Sequence, residues 1–453
     1  MNEYKRLSES FLWDYQQQFY IREGIAAWQT VPYYVTSNPL IAKSFANVIM
    51  GYLRDILSLE NSQNIDFNLP IYIVELGTGT GRFSFYFLKH FFENINLPLL
   101  SNIKIVYVVT DIVSKNVEYC QSQQCFTKYI ANGQMDFAVF DVIADQSIHL
   151  INSNAKITKN ANNNPIIFIS NYVFDSMRND LFMIDNAILS AAHIALNQDN
   201  LDLFNDASFQ HDFLNNNQLS FNLEPIDNNY YTNPLWNSLL SLYKGKCDQG
   251  TFLFPIDALT AINNMFELTH HKCLILSADR GHSEFTESLS SDLSKIGVHG
   301  SISLEVNFYL LAQFVTAKKG LVKQIKRYEN GINFALFVIN EKKQTFPETL
   351  QSFNDWIAHF NSYDFLKIKK LLERIGNAAT LDEILAIFQL SHWDQKIFAI
   401  LLQHLKLQLF QLDDHQKNRL RQSLDNLIEW FYPNEDEIEL FEELQSLQKQ
   451  LSI

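Results

Sequence analysis

Positive charge, glycine, cysteine and long apolar runs are all scarce in this sequence. Lys and Arg number 35 against 50 Asp and Glu, a formal net charge of -15 over 453 residues. That balance works against a general phosphate-binding surface, which needs clustered cations, so nucleic acid is not the expected partner. No run approaches the ~18 apolar residues of a membrane span. The opening "MNEYKRLSES" also carries charge where a signal peptide needs its apolar segment, so a cytoplasmic protein with no membrane partner is expected. Cys120, Cys125, Cys247 and Cys273 are too few for a disulfide framework, and the first two lack the second ligand pair of a zinc site. Reduced, partly buried thiols and no metal are expected. His270 and His271 precede a strand, and His282 and His299 read as loop residues with no paired acid to orient either as a base. There is no G-x-S-x-G nucleophile elbow and no P-loop.

What is present is a change of rhythm along the chain. Residues from about Ser8 to Leu59 carry apolar side chains at three-to-four spacing, interrupted at "VPYYVTSNPLIA", where Pro32 and Pro39 forbid a continuous helix. From about Pro70, short apolar runs alternate with helical ones: "IYIVEL", "IKIVYVVT", "DFAVFDV", "PIIFIS" and "KCLILSA". Runs without polar alternation suit strands buried on both faces, hence a parallel sheet covered by helices. A helix closing at Gly320 then leads into "LVKQIKR" and "INFALFVIN" across "YENG", a hairpin that adds an antiparallel strand. Beyond about Gln344 only helical patterns continue, and the acidic "NEDEIELFEE" reads as a solvated helix start. The expected organisation is a helical cap over 1–66, an α/β core over 67–345 and a helical domain over 346–453. "KNANNNP" is expected as a polar loop, and the Asn-rich stretch at about 190–257 as an insertion or lid.

Three of the chain's 14 glycines, Gly77, Gly79 and Gly81, fall inside "IYIVELGTGTGRFSFYF", between a buried strand and a helix starting near Arg82. Glycine there lets backbone amides approach a ligand that a Cβ would hold off. A dinucleotide loop reads G-x-G-x-x-G and places pyrophosphate on the helix N-terminus. Here the spacing is G-x-G-x-G and Glu75 precedes it. A carboxylate suits a cationic ligand better than a pyrophosphate, which disfavours a nicotinamide-dependent oxidoreductase.

The pattern E-x-G-x-G-x-G resembles motif one of the class I methyltransferases, which bind S-adenosylmethionine. The resemblance implies a Rossmann-like sheet of seven strands, the last antiparallel. It also implies an acid closing the second strand on the ribose hydroxyls, matched by Asp111, and one closing the third on the adenine amino group, matched by Asp141. Glu75, Gly77, Gly79, Gly81, Asp111 and Asp141 are thus the expected cofactor residues. Against that stands the plainer reading that the glycines pack a helix on the sheet and the two aspartates cap helices.

Further segments resemble the MidA-type methyltransferases: "PIIFISNYVFDSMRNDLF" their N-E-x-F-D-A-L-P, "LILSADRGH" their L-x-x-D-Y-G, "LEVNF" their H-V-D-F and "YYVTSNPLIAKSF" their D-F-x-T-x-P. The likeness runs from about Trp13 to Ile339, and the family includes a mitochondrial member that methylates an arginine of a respiratory-complex subunit. It implies a protein substrate, with a homodimer left open. Three positions depart from the pattern: Tyr172 replaces the acid after Asn, Met177-Arg178 the Leu-Pro, and Asn307 the Asp of V-D-F. Arginine methylation calls for carboxylates to orient the guanidinium, and of these Asp175 remains, with Glu305 in the neighbouring segment. Asn171 would aim an amine by its carbonyl and Tyr172 would face a cation. Asn171, Tyr172 and Asp175 are therefore the expected acceptor residues, with Tyr172 as a core aromatic the competing view. Two functions follow: a methyltransferase acting on a protein side-chain nitrogen, or a regulatory protein that keeps the fold without the chemistry.

Overall fold

The computed structural model describes residues 3–58, 62–93, 102–159, 164–196, 213–214, 219–290, 296–299, 301–325, 331–340, 345–375, 379–434 and 437–451. The apolar runs form the strands of one mixed sheet: β1 Ile71–Leu76, β2 Ile105–Asp111, β3 Met135–Val139, β4 Ile166–Asn171, β5 Lys272–His282, β6 Leu321–Gln324 and β7 Ile332–Asn340. Its order is β6-β7-β5-β4-β1-β2-β3. β1 pairs in parallel with β2 and β4, β4 with β5, and β2 with β3, whereas β7 runs antiparallel to both β5 and β6. This is the class I methyltransferase sheet, with the antiparallel strand placed inside the edge strand. Residues 326–330, which hold most of the expected "YENG" turn, lie outside the described residues.

Every residue of β1 and β2 is buried, as strands covered on both faces must be. Alternate side chains feed two cores. Ile71 and Ile73 join Phe45, Phe87 and Tyr107 on one face, and Tyr72 and Val74 join Phe266, Leu311 and Phe314 on the other. Each such side chain contributes on the order of 1.5–3 kcal/mol. The first face is covered by α1 Pro39–Ile56 and α2 Arg82–Leu88, and the second carries Ile256–Leu268 and Phe308–Ala317. Pro39 stands in the first turn of α1, capped by Asn38, so the proline starts a helix rather than breaking one.

The segment expected as an insertion carries a second, antiparallel sheet, in which Asp180–Asp185 lies between Ile188–Leu196 and Gln249–Phe254, and Leu219–Pro225 pairs with Ile188–Leu196. Within this part of the chain it starts at Asp180, after the short helical turn Phe174–Ser176 that follows β4. Lys5–Arg6 adds an antiparallel strand to it, which ties the N-terminal segment to the insertion. Residues 160–163 of the Asn-rich loop lie outside the described residues, but Asn164 is buried and bonds Asp66, Leu69 and Pro70 through its amide.

The C-terminal helices close on their own core of Phe388, Leu401, Leu424 and Leu444. Glu437, expected on a solvated helix start, is instead buried and ion-paired to Arg82 and Lys396. Among the described residues, no helix is long and apolar enough to cross a membrane, and no group of His, Cys, Asp or Glu gathers to hold a metal.

Candidate active site

Strand order reverses at β1, since β2 and β3 run out to one side and β4 and β5 to the other. In open α/β sheets the crevice beyond the C-terminal ends of such strands is where ligands sit. Glu75, Asp111, Asn171 and Asp279 all stand at or near those ends.

Gly77, Gly79 and Gly81 all adopt positive φ, at 62°, 55° and 77°. Gly79 is the tightest. A Cβ there would lie 2.6 Å from Trp28 Cζ2, because the Trp28 indole of the N-terminal cap is laid directly over the loop. The loop is fixed from below: the Thr78 amide donates to the Thr110 carbonyl at 3.0 Å, and the Gly79 amide to Asp111 Oδ2 at 3.2 Å. Asp111 also accepts from the Val113 amide at 2.9 Å and Asn116 Nδ2 at 3.2 Å. It therefore joins the loop to the turn after β2, so it both caps and faces the loop.

Glu75 is buried under the loop, accepting from Tyr107 Oη at 2.7 Å, from Ser84 and from Thr78. Burial pushes its carboxyl up to about 7 despite those donors, and burial likewise raises Asp111 against its backbone and Asn116 donors. Among the described residues no cationic side chain pairs with either acid. The site thus holds two desolvated carboxylates that a bound cation would relieve. Asn116 Oδ1 and Asn171 Oδ1 are buried without hydrogen-bond partners and offer two acceptors near the loop, while the equally unpartnered Trp28 Nε1 belongs to the indole that covers it. These features fit a polar, cationic nucleoside, and they place Trp28 over the glycine that would meet it.

Asp141 lies two residues beyond β3. Its Oδ1 accepts from the Ile143 amide at 2.8 Å and the Ala144 amide at 3.3 Å, the arrangement of a turn cap. Gly77 and Gly81 frame the loop, with Gly81 leading into α2.

Of the residues expected at the acceptor, Asn171 ends β4 and its Nδ2 donates to the Thr36 carbonyl at 3.4 Å. Tyr172 adopts positive φ, 51°, and its phenol is pushed up by burial. Both Tyr172 and Asp175 line a cavity of about 90 Å³ with Tyr20, Trp28, Val31, Pro32, Ser176, Arg280, Ser301 and Ser303. Burial raises Asp175 to about 6, although Ser176 and Arg280 oppose it. Asp279 beside it is held well above the carboxylate range, first by burial and then by Asp175. A larger cavity of about 870 Å³ opens between α2 and the C-terminal helices, but none of the sequence-predicted site residues lines it.

Two expectations are corrected here. His282 is not an unpaired loop residue: it ends β5, and its Nε2 lies 2.6 Å from Glu305 Oε2, while Glu305 Oε1 pairs with Arg280 at 3.5 Å. His299 likewise belongs to a strand, Ile296–His299. The carboxylate that orients His282 comes from a segment brought alongside by strand pairing, with Gly281 opposite Val306, so no local spacing announces it. Of the departures from the family pattern, Arg178 forms an ion pair with Asp257 at 2.7 Å. Asn307 caps the helix Phe308–Ala317 and donates to Tyr243 Oη and the Leu253 carbonyl, each at 2.9 Å.

No family model and no curated protein matches this chain. Among solved structures it is similar to a Burkholderia thailandensis protein crystallised with S-adenosyl-homocysteine, at 10% identity and TM-score 0.44, covering 77% of this chain and 90% of that one. It is also similar to the magnesium protoporphyrin IX methyltransferase of Synechocystis PCC 6803 with bound SAM, at 7% identity and TM-score 0.30, covering 72% and 94%. At such identity and overlap these neighbours carry no argument about ligand or reaction, and the fold rests on the strand order.

Proposed function

We propose that this chain is an S-adenosylmethionine-dependent methyltransferase acting on a side-chain nitrogen of a protein, with arginine the favoured acceptor. One observation carries the donor half: two buried acids with no cationic partner among the described residues, Glu75 and Asp111, close adjacent parallel strands around a loop of positive-φ glycines. The sulfonium donor supplies an activated methyl group. The chain's residues then have to seat it, aim the acceptor lone pair and exclude water. As the N–C bond forms and the S–C bond breaks, the acceptor nitrogen must also give up a proton. Asp175, at about 6, is ionised at neutral pH and supports that role. The family resemblance supports a protein acceptor.

Incubation with labelled donor and a native lysate tests the proposal by comparing wild type with Asp111→Ala. Label that is absent, or equal in both, would count against catalysis through this site. Titration calorimetry with S-adenosylhomocysteine and NAD separates a methyl-donor site from a dinucleotide site. A second reading, a regulatory protein that binds the donor without transferring it, is favoured by Asn307, whose side chain is engaged in capping rather than in the cavity. Donor binding with no label on any acceptor would select it.

Two expected outcomes follow from the site's geometry. The kcat/KM profile should fall as pH drops below about 6, because protonated Asp175 no longer accepts the proton, and Asp175→Asn should flatten that limb. Trp28→Ala should tighten S-adenosylhomocysteine binding about tenfold, since a side chain resting on Gly79 removes chains from the binding-competent set. Weaker binding in the calorimeter would instead make the indole a wall of the donor's seat.

A further inference from the structure

The C-terminal helices reach the glycine loop itself. The buried Tyr432 hydroxyl donates to the Thr80 carbonyl, between Gly79 and Gly81. Arg82, the residue that opens α2 directly after the loop, is paired with Glu437 at 3.2 Å with side-chain exposures of 2% and 5%. Gln395 binds these two anchors together. Its Oε1 accepts from the Tyr432 amide at 2.8 Å and from Tyr86 Oη at 2.9 Å, while its Nε2 donates to the Tyr432 carbonyl and to Glu437. One residue earlier, Asp394 Oδ2 accepts from Tyr34 Oη at 2.9 Å, and Tyr34 belongs to the cap segment whose Thr36 carbonyl holds Asn171.

A loop with three residues at positive φ has no strong intrinsic preference for its shape, because glycine explores more backbone conformations than any other residue. Its geometry must be imposed from outside. Asp111 fixes the Gly79 amide, and Tyr432 fixes the Thr80–Gly81 peptide by its carbonyl. A buried guanidinium also demands its counter-ion, so Glu437 pins the register of α2 against the domain.

We propose that the C-terminal helical domain is part of the donor site, with Tyr432 and Glu437 as positioning residues that hold the Gly77–Gly81 loop in its binding conformation. This rests on the donor reading above. Tyr432→Phe removes the hydroxyl and keeps the ring that packs on Phe85. It should raise the Kd for S-adenosylhomocysteine about tenfold, equivalent to about 1.4 kcal/mol, while leaving kcat at saturating donor and the acceptor KM unchanged. Glu437→Gln should act in the same direction. Glu429→Gln serves as the control: it breaks a contact of the same domain, to Lys89, that does not touch the loop, and should leave the Kd unchanged. A Tyr432→Phe variant with wild-type Kd, or a control equally weakened, would overturn the proposal. Hydrogen exchange of the residue 77–82 amides in the donor-free protein gives a separate readout. It should quicken in Tyr432→Phe but not in the control. A wild type that binds no S-adenosylhomocysteine would sink the donor reading, and unchanged loop exchange would sink the grip.

Discussion

Asp111→Ala is expected to weaken S-adenosylhomocysteine binding by about two to four orders of magnitude. The carboxylate is buried and already spends Oδ2 on the Gly79 amide and Asn116, and Oδ1 on the Val113 amide. Removing it frees the Gly79 amide and takes away the acceptor that a ribose hydroxyl would use. Hydrogen bonds to a charged group contribute about 1.5–3 kcal/mol each, so the loss of two is roughly 3–6 kcal/mol. Asp111→Asn separates the causes. It keeps the shape and one oxygen acceptor but not the charge, so it should retain the turn after β2 and still lose most of the affinity. Titration calorimetry decides the matter, and an Asp111→Ala protein with wild-type Kd would reduce Asp111 to a helix-capping residue.

The parts of this site that were legible in the sequence are those whose signal is local. Glycines at alternate positions between an apolar run and a helix mark a close backbone approach. An acid that terminates an otherwise apolar buried strand stands out for the same reason, which is how Glu75 and Asp111 are found. Asp141 carries the same signal with two readings: an acid near a strand end also suits capping its own turn, and here two turn amides meet its Oδ1. The sheet's hairpin was legible, but the insertion of β7 between β5 and β6 is a matter of long-range pairing. The second sheet was harder still. Its first hairpin turns at Asn186-Ala187, both at positive φ, where the usual Asn-Gly signal carries an alanine.

The contacts that sequence reasoning missed are tertiary. Trp28 lies over Gly79 although the two are far apart in the chain, and Glu305 reaches His282 only because a short strand docks beside β5. Glu437 was misjudged for a plainer reason. An acidic run looks solvated residue by residue, and nothing in it shows that one member faces a buried arginine far away in the chain, at the start of α2.

Gly281→Ala should destabilise the fold by more than about 3 kcal/mol, at the upper end of overpacking costs. Gly281 pairs in parallel with Val306, and a Cβ on it would lie 2.1 Å from the Val306 carbonyl oxygen and 2.8 Å from both its carbonyl carbon and its nitrogen. All three atoms are backbone, so no rotamer change relieves the collision, and the strand Val306–Asn307 must move away from β5. That pairing is what sets Glu305 against His282 and Arg280, and Asn333 further ties the Gly281 carbonyl. The expected fall in apparent Tm is about 3 °C or more by scanning calorimetry, small because a chain of this length has a large unfolding entropy. The glycine loop at the end of β1 is untouched by the change, so the Kd for S-adenosylhomocysteine at a temperature where the variant is folded should stay within about threefold. Methyl transfer should drop much further, because Arg280 on β5 and Ser303, just before the displaced strand, both line the cavity with Tyr172 and Asp175. Wild-type Tm with full transfer would mean that the close approach of β5 and Val306 is not what holds the acceptor site together.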